Sequence, residues 1–133
     1  MRKINLAKMI SLLILTMVIV ITGCDRRLLY VGNSTSNSIN ASYKLFTGTE
    51  DKNINLKQGE VLNIKYTSEV TSGKLFIQLF NPEKELVKDF KTNVSDDVEV
   101  KAEESGKYQI KIIGEDASGS FDINFLVKQS EAN

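Results

Sequence analysis

The chain has 133 residues, 17 of them basic and 17 acidic, with one cysteine and neither histidine nor tryptophan. That length holds one domain at most. A lone cysteine rules out an intrachain disulfide, and without histidine the commonest general base and the commonest transition-metal ligand are both missing.

The first element is a leader. Met1–Lys8 carries Arg2, Lys3 and Lys8 and no acid, and Met9–Thr22 is almost unbroken apolar sequence. As a helix those fourteen residues would span about 21 Å, short of a hydrocarbon core of roughly 30 Å, which favours a signal peptide over residues 1–23. Ile21-Thr22-Gly23-Cys24 resembles the lipobox of bacterial lipoproteins. The resemblance implies cleavage between Gly23 and Cys24, lipid on the Cys24 sulfur and a place at the outer face of a cell membrane. The alternative is a plain N-terminal membrane anchor with Cys24 incidental. Asp25 resembles a retention signal of enterobacterial lipoproteins, which would mean nothing in a host with a single membrane. Past the leader, 14 bases face 17 acids, a net of −3. So weakly acidic a surface has no electrostatic footprint for nucleic acid.

Residues 24–42 read as a lipidated N-terminus and tether. Arg26 and Arg27 would lie at lipid headgroups. Leu28-Leu29-Tyr30-Val31 form either a short first strand or an interfacial contact. Gly32–Ser42 is nearly all Gly, Asn, Ser and Thr, the composition of a flexible linker.

From Tyr43 the sequence alternates. Short runs around Tyr43–Phe46, Asn53–Leu56, Leu62–Tyr66, Lys74–Phe80, Leu86–Phe90, Val98–Val100, Tyr108–Ile112 and Phe121–Val127 show period two with β-branched and aromatic enrichment. Turn residues separate them, and no amphipathic helix competes. The fold class is therefore all-β: an antiparallel β-sandwich of seven or eight strands, jelly-roll-like, over 43–128, ending in a polar tail at 129–133. Gln58–Leu62, Lys74–Pro82 and Glu103–Ile110 together resemble the bacterial modules called pre-peptidase C-terminal-like domains, and carbohydrate-binding modules of similar shape. That resemblance implies a fold far more than a function.

Three groups are candidate sites. Phe76, Gln78 and Phe80 share one face of their strand, opposite Leu75, Ile77 and Leu79; if the leucine face is core, they form an outward platform for a sugar ring or a partner, although without tryptophan a central strand, or one covered by a loop, is the better reading. Glu115, Asp116 and Asp122, or Asp96, Asp97 and Glu99, offer oxygens to Ca²⁺, but neither set has calcium-loop spacing, so solvated turn acids are the better reading and no metal is expected. No nucleophile elbow, phosphate loop or ligand cluster marks an enzyme, and no cofactor is implied. The sequence points to a non-catalytic binding or accessory module, anchored at the membrane through Cys24. An envelope protein is the first expectation for its partner and cell-wall glycan the second.

Overall fold

The computed structural model describes residues 25–129. The leader, Cys24 and most of the polar tail lie outside the described residues. Within them the chain is all-β and antiparallel, with seven strands: β1 (Arg26–Leu28), β2 (Val31–Ser34), β3 (Ser38–Leu56), β4 (Val61–Phe80), β5 (Leu86–Phe90), β6 (Ser95–Lys101) and β7 (Gly106–Lys128). The main order is β1-β3-β7-β4-β5, with β2 also on β3 and β6 also on β4.

The two layers of the sandwich come from one folded sheet. β3, β4 and β7 run 19, 20 and 23 residues, and each is bulged near its middle. The register shifts lie at Tyr43–Gly48 in β3 and Val70–Lys74 in β4, opposite Glu115–Gly119 of β7. Burial shows what the bulges do. β4 buries Leu62, Ile64, Tyr66 and Ser68, then Leu75, Ile77 and Leu79. β7 buries Tyr108, Ile110 and Ile112, then Ala117, Phe121, Ile123 and Phe125. The buried positions change parity across the bend. An additional residue taken up at a bulge does that while kinking the strand, so the same face of the sheet turns inward in both layers. Tyr66 of one layer meets Phe90 of the other edge-on, with ring centroids 5.4 Å apart.

The sequence pattern therefore identifies the right residues but divides them wrongly. Tyr43–Phe46 and Asn53–Leu56 are one strand, as are the pairs within β4 and β7, because the breaks between them are bends in a continuous ladder. A second difference concerns residues 32–42. Expected as a linker, they form most of β2 and the start of β3. Ile39, Ala41 and Tyr43 are buried while Asn40, Ser42 and the β2 residues face out. Composition alone concealed a strand whose polar half is solvated and whose backbone is satisfied by β7.

Three connections cross between the layers. Gly59 donates to the Ala102 carbonyl at 2.9 Å, and Ala102 returns a bond to Glu60 at 2.8 Å. The 91–94 crossing is held by Ser68, whose buried hydroxyl accepts from the Asn93 amide at 3.0 Å, and by the Tyr66 hydroxyl, which donates to the Lys91 carbonyl at 2.8 Å. These bonds satisfy polar groups that the folded sheet would otherwise bury unpaired.

Candidate functional site

Leu75, Ile77 and Leu79 are core, so Phe76, Gln78 and Phe80 face outward, each half-buried. Their neighbours come from β7: Ile113 lies opposite Phe76, Lys111 opposite Gln78 and Gln109 opposite Phe80. The three do not share one site. Phe80 enters a groove of about 480 Å³, whereas Phe76 borders a separate depression of about 240 Å³ near Asn93, and Gln78 lines neither.

The groove is built by register and by a turn. Asn53 of β3 stands beside Gln109, and Asn55 beside Lys107. The turn after β4 folds back through a Lys84 amide bond to the Asn81 carbonyl at 2.9 Å and a Glu85 amide bond to Asn81 Oδ1 at 2.8 Å. It carries Pro82 and Lys84 to the groove wall. Lys84, Lys107 and Lys111 line it and no acid does. Lys111 Nζ stands 5.6 Å from the Phe80 ring centroid, within cation–π range. Beyond the rim, the charges of Glu104 and Glu85 raise the Glu83 carboxyl above its ordinary pKa. The groove is therefore a cationic trough with amide donors and one aromatic wall, suited to carboxylate or other anionic groups. β5 adjoins it as an edge strand, with Leu86 52% and Val87 41% exposed. Sequence reasoning saw Phe80 but missed the lysines. The alternation of Lys107 and Lys111 with Tyr108, Ile110 and Ile112 shows that those two face outward; only the register and the turn show what they and Lys84 face.

Five of the six acidic candidates have other partners, and Glu115 is exposed. Asp116 exchanges two 3.0 Å hydrogen bonds with the Thr47 hydroxyl, and Asp122 accepts from Asn124. Asp97 accepts from Asn63 at 2.6 Å, Asp96 accepts from the Asp97 amide, and Glu99 pairs with Lys128 at 3.1 Å. Among the described residues, no three acidic, cysteine or histidine groups converge as metal ligands would.

A third cluster was not foreseen. Arg27 turns inward from β1 over Tyr30 and Phe46, at 4.7 and 5.1 Å from their centroids. It binds Asp25 through Nε at 3.1 Å and also Glu50, whose carboxylate accepts from the Tyr30 hydroxyl at 3.2 Å. The Asp25 hydrogen bond raises the guanidinium above its ordinary pKa, with burial opposing it and Glu50 reinforcing it. Tyr30 stacks on Tyr43, 5.8 Å between centroids, and Tyr43 touches Phe46 and Phe121. The cluster fastens the N-terminal edge to the sandwich.

Tyr43 makes a prediction possible. Its hydroxyl is buried with no hydrogen-bond partner among the described residues, and burial pushes its pKa up to about 12. Tyr43→Phe removes an unpaired polar atom, so it should be neutral or stabilising by up to about 1 kcal/mol at pH 7 in urea denaturation. The folded pKa lies above the unfolded value near 10. The stability of the neutral form is therefore complete below pH 10 and is lost as pH rises through about 12. Wild type should weaken over that window, and Tyr43→Phe should weaken less; equal losses would contradict the assignment to Tyr43.

No protein-family model matches the chain, and no curated protein matches it. Among solved structures it is similar to Aeromonas hydrophila PliG, a periplasmic lysozyme inhibitor of g-type lysozyme, with 17% identity and a TM-score of 0.47 over 67% of this chain and 84% of that one. It is also similar to accessory secretory protein 1, 2 and 3 in Streptococcus pneumoniae, with 11% identity and a TM-score of 0.41 over 80% and 89%. Likenesses at this level carry no argument about what the chain binds.

Proposed function

We propose that this chain is a lipid-anchored extracytoplasmic lipoprotein whose non-catalytic β-sandwich binds a protein partner as an accessory module of the cell envelope. Cleavage falls between Gly23 and Cys24, and Cys24 carries the lipid. The observation that carries the binding half is the juxtaposition of β5 with the cationic groove. An open edge strand offers unpaired backbone groups for β-addition, Leu86 and Val87 add exposed apolar surface, and three lysines beside them favour an acidic segment. Phe80 is the feature that favours glycan instead, but its ring already engages Lys111, and a stacked sugar would compete with that ammonium.

The test uses the full chain in its native membrane. Intact mass should show loss of residues 1–23 and an added lipid, both abolished by Cys24→Ala. A photo-cross-linking residue at Val87 or Lys84 should give a discrete protein adduct, and one at Lys65 on the other layer should give none. Adducts that vanish on digestion of the cell wall would favour glycan. An unprocessed wild type would sink the lipoprotein assignment.

A further inference from the structure

We infer that the β1–β2 edge lies on the phospholipid surface, so that the domain is held flush against the membrane with the β5 edge turned away from it. The inference rests on the anchored reading above and deepens it.

Three observations carry it. The first is distance. β1 begins at Arg26, two residues after Cys24. At about 3.3 Å per residue the edge strand starts within roughly 7 Å of the anchor point, no more than the depth of one headgroup layer. A second membrane anchor reading, in which residues 1–23 stay attached, gives the same distance. The second is surface chemistry. Leu28, Leu29 and Val31 are 59%, 70% and 76% exposed, the most exposed large apolar side chains among the described residues. They sit side by side where Leu29, with φ 48°, kinks the edge opposite the bulge in β3. Tyr30, between them, turns inward to the aromatic cluster. Arg26 points outward and has no ion-pair partner among the described residues, while Arg27 neutralises Asp25. An exposed apolar triplet beside an unpaired cation is the chemistry of an interfacial contact. The third is stiffness. The edge hydrogen-bonds to β3 on both sides of the kink, so the apolar triplet is carried by the sheet itself and not by a loose tail.

The sheet order then fixes orientation. β1 and β5 lie at opposite ends, with β3, β7 and β4 between them. An edge seated on lipid leaves the other edge facing outward.

Because the chain lacks tryptophan, a single introduced one reports cleanly. Leu29→Trp, Val31→Trp and Val87→Trp variants of the full chain would be reconstituted into phosphatidylcholine–phosphatidylglycerol vesicles with brominated acyl chains. Unaltered melting would confirm that each folds. The expected result is several-fold stronger quenching, with a blue shift, at positions 29 and 31 than at 87. If the protein floats with vesicles but all three positions quench alike, or 29 and 31 do not quench, the edge contact is wrong and the anchor stands. If the protein does not float at all, the anchored reading fails and takes this inference with it.

Discussion

Gly119→Ala should cost about 3–5 kcal/mol, enough to remove much of the stability of a domain this size. Gly119 has φ +144°, and a Cβ there would stand 1.9 Å from the Glu69 carbonyl oxygen. That oxygen belongs to the backbone of the adjoining central strand, so it cannot step aside without opening the β4–β7 ladder. Two costs add: a backbone conformation that alanine adopts poorly, and an overlap at the bend. Gly73 faces it across the same bend, where a Cβ would come within 2.1 Å of the Asp116 carbonyl oxygen. Gly32→Ala is the control. It meets the Tyr30 ring edge at 2.9 Å and the Asn40 carbonyl oxygen at 3.1 Å, but on an edge strand that can yield as a unit, and should cost less, about 1–2 kcal/mol. Equilibrium urea denaturation decides. If Gly119→Ala lay within experimental error of Gly32→Ala, the bend would not depend on that close approach.

Phe46→Ala should also cost about 3–5 kcal/mol, the range for a fully buried aromatic cut to alanine. Phe46 has no exposed surface. Its ring lies 5.5 Å from Tyr30 and 5.3 Å from Tyr43, and a Cβ on Gly114 would fall 2.4 Å from it. Gly114 is thus the floor on which the ring rests. The loss should also be local in a particular way. Arg27 and Tyr30 pack on Phe46 from the β1–β2 edge, so the amides of 26–34 should lose protection from hydrogen exchange before those of β4 and β7. Uniform loss across the sheet would show that the edge is held by its backbone ladder alone. Phe46→Leu, which keeps most of the volume, should cost markedly less.

Much of this fold is legible in the sequence because alternation is a local signal. Leu62, Ile64 and Tyr66, or Phe121, Ile123 and Phe125, declare a buried face without reference to any partner. The outward turn of Phe76, Gln78 and Phe80 follows from the same rule. The bends are not legible, because a glycine at a strand break signals a turn as readily as a kink. Only the partner strand shows that the ladder continues past Gly73 and Gly119. The Asn- and Ser-rich start of β3 misleads for a different reason: its inward residues are few, Ile39 and Ala41, and its stability comes from pairing with Phe121 and Ile123 far along the chain. The groove is hidden likewise. Phe80 meets Gln109 and Lys111 only through a register that no short pattern encodes.

The place of β7 has a kinetic consequence. The last of the seven strands in chain order is the middle strand of the sheet, and β3 and β4 pair with it rather than with each other. Its pairings join residues as far apart as Ser38 and Asn124, a topology of high contact order and slow closure. Nascent β3 and β4 have no central partner until β7 has been made. Hairpins such as β4–β5 can pair earlier, but the sandwich cannot close, and the chain stays threadable, until β7 is free to enter between β3 and β4.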